Sequence, residues 1–353
     1  MRFVKKTAGQ AVRPLLTILV SLLIGALLIF PSGESPLHAY AVLFAGAFGS
    51  VTGWLGTLAR ATPLIFTGLA AAVASRSGVF NIGIEGQLYL GALAAAMVGV
   101  TCGALPPFLL IPLCLLAAMA AAVLWGMIPG LLNSKLGINI FIMFFMLNNM
   151  AMLLTEYLAN GPFQGDLATA STARISENAM LLRFSRYADF NAGFFVAVAA
   201  AAVLWFAMYK TKFGYECGAL GHNRTFSQYI GVHIGGKTLL VLAISSAIAG
   251  LAGAEQVMGF MGRFHAGFSN QLGFTGISVA MLAKNHPVGV VIFAIFFGAL
   301  NNGALQLAAQ TGVPSDLVNS LQAVMIIFIS ADFMVHAARR AKHAKLEEKE
   351  AEQ

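Results

Sequence analysis

Charge is what this chain has least of. Only 10% of its 353 residues are Asp, Glu, Lys or Arg, where a soluble domain carries about 25%. At the same time 58% are apolar and the mean hydropathy is +0.80. A water-soluble globular domain is excluded by that shortage. Cysteine is scarce too: Cys102, Cys114 and Cys217 are the whole set. They share no metal or redox spacing and read as small packing residues. The seven histidines are scattered, with no HExxH pair, and no Ser-His-Asp set or carboxylate pair suggests hydrolysis. No metal and no cofactor is therefore expected, and an intramembrane enzyme lacks a catalytic constellation.

What the chain has instead is long apolar runs between clustered charges. A helix needs about 20 apolar residues to cross the hydrocarbon core, and only helices and closed barrels satisfy their backbone there. The runs are continuous rather than alternating, so the expected fold is all-α. Ten spans are predicted: 12–30, 60–77, 80–100, 106–130, 138–158, 192–210, 237–259, 272–284, 287–308 and 315–337. The eighth is short, and the second and third are separated by almost nothing, which marks both places for broken or re-entrant helices.

With the N-terminus in the cytoplasm, all 21 Lys and Arg fall inside except Arg60, Arg174, Arg183, Arg186 and Arg263. That asymmetry fits the positive-inside rule and an even span number. The net charge of +7 thus marks cytoplasmic loops and needs no nucleic-acid partner. Ala39-Tyr-Ala41 resembles a signal-peptidase site but lies well past the first apolar run, so the first span is expected to stay uncleaved. Residues 1–353 form one membrane domain. Residues 1–11 and 338–353 are cytoplasmic ends, 159–191 an external loop, and 211–236 a cytoplasmic loop.

Polar residues inside the spans are the candidates for function. An ionisable group at mid-membrane costs about 2.5–3.5 kcal/mol or more, and Glu85 sits in such a run with Asn81 and Gln87. Asn148 and Asn149 lie in the middle of another span. Phe274 and Ser278 lie in the short eighth span, and Asn301 interrupts the ninth. Each could line a path for a polar solute or hold helices together; Glu85 could also pair with Arg76. Gly78-x-x-Asn81, followed by Gly83-x-x-Gly86, is echoed by Gly267-x-x-Asn270, followed by Gly273-x-x-Gly276. The two copies open spans five apart, so they would be inverted in the membrane, five spans plus five. Inverted repeats with Gly-interrupted helices point to a transport site.

Gly231-Val-His-Ile-Gly-Gly-Lys-Thr238 literally matches the phosphate-loop pattern. That motif needs a strand before it and a helix after it, and here a polar loop precedes a membrane span. Any ATP-driven step is therefore expected on another polypeptide.

Several stretches resemble the permeases of bacterial ABC importers for simple sugars and nucleosides, within the broader group of ribose and branched-chain amino-acid permeases. They are Arg60-Ala-Thr-Pro-Leu-Ile-Phe-Thr-Gly-Leu-Ala, Gly78-Val-Phe-Asn-Ile-Gly-Ile-Glu-Gly-Gln87, Met146-Leu-Asn-Asn149 and Gly273-Phe-Thr-Gly-Ile-Ser-Val-Ala-Met-Leu-Ala-Lys-Asn-His-Pro287. The resemblance runs from about residue 37 to 335 and is closest to the nucleoside-type branch. It implies a ten-span permease paired with a second, homologous permease, with an ABC ATPase below and an extracytoplasmic substrate-binding protein above, in the bacterial cytoplasmic (inner) membrane with both termini cytoplasmic. It also implies a coupling helix in the 211–236 loop, which assigns Glu216, Gly221, Asn223, Tyr229 and Gly231 to ATPase contact. Tyr229 and Gly231 match the family pattern. Gly218, Arg224 and Phe226 depart from it, where Arg, Pro and Ala are expected. The function so implied is a translocation path for a nucleoside or related small polar solute. The rival reading is an ion-coupled secondary transporter that uses Glu85 as its titrating group.

Overall fold

The computed structural model describes residues 20, 22–27, 29–30, 33–166, 168–185, 188–311, 317, 319–320, 322–324 and 327. The predicted spans 12–30 and 315–337 lie largely outside the described residues, as do the two cytoplasmic ends. Among the described residues the ordered backbone is helical, with isolated bridges and no strand. The chain divides into two compact units, Met1–Gly49 with Leu300–Gln353, and Ser50–Ala299.

In the first unit, α1 (Pro36–Phe48) opens with a proline, whose missing N–H costs nothing there, and closes at Gly49. It packs on the end of α11 (Pro287–Thr311), where Gly46 lies against Gln306 and Gly303 lies against Leu43. α1 falls between the predicted spans 12–30 and 60–77, and its 13 residues are too few to register as a span.

The second unit is built around α2 (Val51–Arg76) and α3 (Ile84–Thr101), which are buried on most sides. Ser50 caps α2, its hydroxyl accepting from Gly53 N at 3.0 Å, so the helix starts at Val51 rather than at 60. α4 (Pro107–Leu136), α5 (Ile140–Asn160) and α6 (Gly193–Lys210) each bury one narrow stripe and leave the rest apolar and exposed. That is the pattern of helices facing lipid or another apolar subunit.

α7 (Lys212–His222) and α8 (Arg224–Tyr229) are short helices within the 211–236 loop. α9 (Ile234–Glu255) runs on through one π-helical stretch, Gln256–Met261, and stops at Gly262 with φ +69°. α10 (Leu272–Leu282) has 11 residues, about 16 Å of rise, too short to cross. Among the described residues, seven helices are long and apolar enough to cross: α2 to α6, α9 with its π-helical stretch, and α11.

Small residues allow the central helices to approach closely. A Cβ on Gly91 of α3 would sit 2.6 Å from Gly250 Cα of α9. Bulk at such positions is not tolerated in a packed membrane interior.

The 159–191 segment is not a free loop. Thr172 N donates to Phe264 O at 3.0 Å, Phe264 N to Thr172 Oγ1 at 3.1 Å, and Leu181 N to Met258 O at 2.9 Å. Arg183 donates from Nε to Gly259 O at 3.1 Å and from Nη2 to Phe260 O at 2.7 Å. Gly259 and Phe260 lie in the last turn before the helix stops, where carbonyls have no helical partner, and Arg183 supplies the donors.

Candidate functional site

The site is the meeting point of two broken helices. α2 ends at Ser77, and Gly78 takes φ +68°, a conformation other residues adopt only under strain. The chain then runs non-helically until α3 begins at Ile84. The second break follows α9: Gly262 and Gly267 have positive φ, as do Asn270 and Gln271, and α10 begins at Leu272. Both copies of the Gly-x-x-Asn motif thus start on a left-handed glycine and lead into a helix. The copies differ in detail: Gly83 lies just before its helix, which starts three residues after Asn81, whereas Gly273 lies inside its helix, which starts two residues after Asn270.

Side chains take over the hydrogen bonds that the first break gives up. Asn81 Oδ1 accepts from Gly83 N at 3.0 Å and from Gln87 Nε2 at 3.1 Å. Asn81 Nδ2 donates to Gln87 Oε1 at 2.9 Å and to Ser245 Oγ at 2.8 Å; Ser245 Oγ donates to Ala70 O at 2.7 Å. Asn148 of α5 spans the start of α3, accepting from Gly86 N and donating to Ile82 O, each at 2.9 Å. Below them Val79, Phe144 and Leu242 form a small apolar core.

Glu85 joins the two breaks. Its carboxylate accepts from Ser269 Oγ, from Gly273 N at 2.7 Å and from the Gln271 amide, all on the second break. It therefore lies in the first turn of α3 and at the N-terminus of α10, where two helix dipoles favour a negative charge. It is 3% exposed. Tyr89, one turn on, packs against Phe264 and Phe268, ring centroids 6.4 and 4.9 Å away, and holds the second break on α3.

The structure thus buries Asn81, Glu85, Gln87 and Asn148 around the start of α3, where Asn81 and Gln87 bond each other, Asn148 bonds backbone, and Glu85 bonds the second break. Arg76 is not the partner of Glu85: its guanidinium stacks 4.0 Å from the Tyr209 ring centroid. Asn149 lies on the exposed face of α5, its Nδ2 donating to Phe145 O at 3.0 Å. Ser278 is buried and donates to Phe274 O at 3.1 Å. Asn301 belongs to the other compact unit, where its Oδ1 accepts from Gln322 Nε2 at 2.8 Å. Sequence reasoning missed Ser245 and Ser269. A Ser-Ser pair inside the apolar run of α9 was the available signal for the first, and the second repeat copy for the other. Glu255 and Gln256, which by their place near the outer end of their span are expected to reach water, instead form a second carboxylate network: Glu255 is buried and accepts from Asn191 Nδ2 at 3.0 Å and from Gln256 Nε2 at 2.8 Å.

The residues assigned to coupling cluster on α7, α8 and the start of α9. Glu216 pairs with Lys237, whose ammonium also lies 4.5 Å from the Phe213 ring centroid. Asn223 caps α8, accepting from Phe226 N at 3.0 Å. Tyr229 is 86% exposed, and Gly231 turns the chain with φ +81°. Cys217 faces inward, where burial pushes its thiol up. The phosphate-loop look-alike is preceded by α8, not by a strand, and Lys237 is spent on Glu216.

Long apolar helices, two interrupted at glycines and pinned by a buried polar network, define a polytopic membrane transport subunit. The chain belongs to the family described as branched-chain amino acid transport system / permease component, whose pattern matches residues 53–330. It is 36% identical over 336 residues to the guanosine ABC transporter permease protein of Bacillus subtilis, covering 94% of this chain and 96% of that protein. It is 36% identical to the glucose ABC transporter permease protein of Haloferax volcanii, covering 90% and 86%. It is 31% identical to a nucleoside ABC transporter permease protein of Lactococcus lactis, covering 91% of this chain and 91% of that protein. The chain is thus a multi-pass permease subunit of an ABC importer. ATP hydrolysis belongs to a separate subunit, and the ATP-driven reading prevails over the ion-coupled one. Such a permease works in a membrane with ATPase and substrate-binding partners.

Proposed function

We propose that this chain forms one half of the translocation path for a nucleoside or a closely related small polar solute in the bacterial cytoplasmic membrane. The observation that carries the substrate class is the 36% identity across 94% of the chain to a guanosine permease, with a nucleoside permease at 31%. The glucose permease at 36% identity supports a hexose as the second reading. Uptake by the reconstituted importer decides between them. Radiolabelled guanosine is expected to accumulate on ATP addition and to be displaced by unlabelled nucleosides but not by glucose. Displacement by glucose alone would move the substrate class to sugars.

The other half of the path is a second, homologous permease. The exposed, mostly apolar face of α5, with Asn149 on it, is the surface of this chain that it would meet, and Phe274 and Ser278 of α10 are further candidates for the path. Asn81, Glu85, Gln87 and Asn148 shape the path by fixing the broken helices. Weak, replaceable hydrogen bonds suit transport, since tight binding would trap the cargo. Alternating exposure follows if each nucleotide state of the ATPase has a different affinity for the two arrangements of the permease.

The ATPase-facing surface is α7, α8 and the turn at Gly231, with both termini on the same cytoplasmic side. In a Cys102→Ala background, a Tyr229→Cys variant is expected to react with a membrane-impermeant maleimide in inside-out vesicles and not in right-side-out cells, while buried Cys217 stays unlabelled in both. Labelling of Tyr229→Cys from outside would reverse the topology.

A further inference from the structure

α7 touches the first helix break backbone to backbone. A Cβ on Gly221 would meet Arg76 O and sit 3.1 Å from Gly78 N, and a Cβ on Gly78 would sit 3.0 Å from Gly221 Cα. One turn earlier on the same face, Cys217 hydrogen-bonds Ser77, and both are buried. No long side chain lies between α7 and residues 76–78 to absorb a displacement, and close-packed interiors transmit such strain.

From Gly78 the break leads directly into the rigid network. Asn81 is tied to Gly83, Gln87 and Ser245, and Asn148 to Ile82 and Gly86. Glu85 closes the chain. It belongs to α3, but its oxygens are taken up by Ser269, Gln271 and Gly273 at the start of α10. Gly273 brings the two helix ends together, since a Cβ on it would sit 2.7 Å from Glu85 N. The N-termini of α3 and α10 are therefore one mechanical piece, and its polar centre is buried.

We propose that Glu85 is a positioning residue that clamps the N-terminus of α10 to that of α3, and that the Gly221–Gly78 contact makes α7 the lever that moves this clamp. The proposal rests on reading α7 and α8 as the surface that meets the ATPase. It assigns to Glu85 transmission of motion within one subunit, where a titrating or solute-binding role would require access from the path. A contiguous set of packed groups is only a candidate route until coupling between its ends is measured.

The test uses the complete importer in liposomes and reads hydrogen–deuterium exchange of residues 269–276 by mass spectrometry, before and after trapping with MgATP and vanadate. In the wild type, trapping is expected to change exchange of this segment by about tenfold. In Gly221→Ala, whose Cβ pushes α7 off residues 76–78, the complex is expected to trap nucleotide while the segment no longer responds; a full response overturns the lever. If Gly221→Ala does not assemble, Cys217→Ala, which removes the bond to Ser77 on the same face, is expected to weaken the response, and an unchanged response overturns the lever. Glu85→Gln is expected to speed exchange of the segment in both states. It should also lower the maximal rate of guanosine uptake by about tenfold at unchanged KM. A raised KM at unchanged maximal rate makes Glu85 a solute contact and overturns the clamp. If Glu85→Gln does not assemble, Ser269→Ala keeps the carboxylate and removes one donor. It is expected to speed exchange of the segment to a smaller extent, and unchanged exchange overturns the clamp. Crosslinking of Tyr229→Cys to the ATPase reports separately on docking. Loss of the crosslink defeats the docking reading, whereas an intact crosslink with a full response in Gly221→Ala defeats the lever alone.

Discussion

Replacing Glu85 by alanine is expected to reduce uptake by the assembled importer about a hundredfold, equivalent to about 2.7 kcal/mol of lost barrier control, while the ATPase still co-purifies. Three donors on the second break, Ser269 Oγ, Gln271 N and Gly273 N, lose their acceptor in a site that is 3% exposed. Each stranded buried group costs about 1–3 kcal/mol, and water cannot replace the carboxylate without opening the packing around Tyr89 and Phe268. The damage is confined to the junction, because the helix contacts of α2, α3 and α9 do not pass through Glu85. Docking of the ATPase depends on α7 and α8 and should persist. Transport at the wild-type rate by Glu85→Ala would remove this residue from the working parts of the protein.

Gly250→Val is expected to prevent folding altogether. A Cβ on Gly250 would sit 2.5 Å from Ala118 O and 2.7 Å from the Ala122 methyl on α4, while Gly91 of α3 presses on Gly250 from α3's side. Backbone and methyl groups cannot rotate away as a long side chain can. Overpacking a well-filled interior costs about 1–3 kcal/mol even where neighbours can shift, and here three helices would have to separate. Size-exclusion of a fluorescent fusion in mild detergent should show the variant at low yield in the void volume. Gly218→Ala is the control: nothing lies within 4 Å of a Cβ at that position, and its elution should match the wild type. A sharp, wild-type peak for Gly250→Val would show that α3, α4 and α9 do not pack at this point.

The spans were legible because hydropathy is a local property that needs only length and composition. The predicted 138–158 and 272–284 segments fall on α5 (Ile140–Asn160) and α10 (Leu272–Leu282). The shortness of α10 and the break before α3 were both visible. α1 escaped notice because a 13-residue helix is shorter than the length on which the span argument rests. The π-helical stretch after Glu255 was equally hidden, since its carbonyls are satisfied by Arg183 from a distant loop. At the site, the residue types were right and their roles were not fixed. Glu85 was singled out by its cost in an apolar run, yet one local partner considered for it was Arg76. Its true partner, Ser269, lies 184 positions away.

By itself the sequence determined the membrane, the helical class, the glycine breaks and the family, because each follows from composition, from local periodicity or from a short motif. Only the tertiary structure decided that Asn81, Glu85, Gln87 and Asn148 are all buried around the start of α3 while Asn149, next to Asn148, faces outward. A helix turns about 100° per residue, so neighbouring side chains in the chain point to different surroundings, and which of them is enclosed depends on helices brought in from far along the sequence.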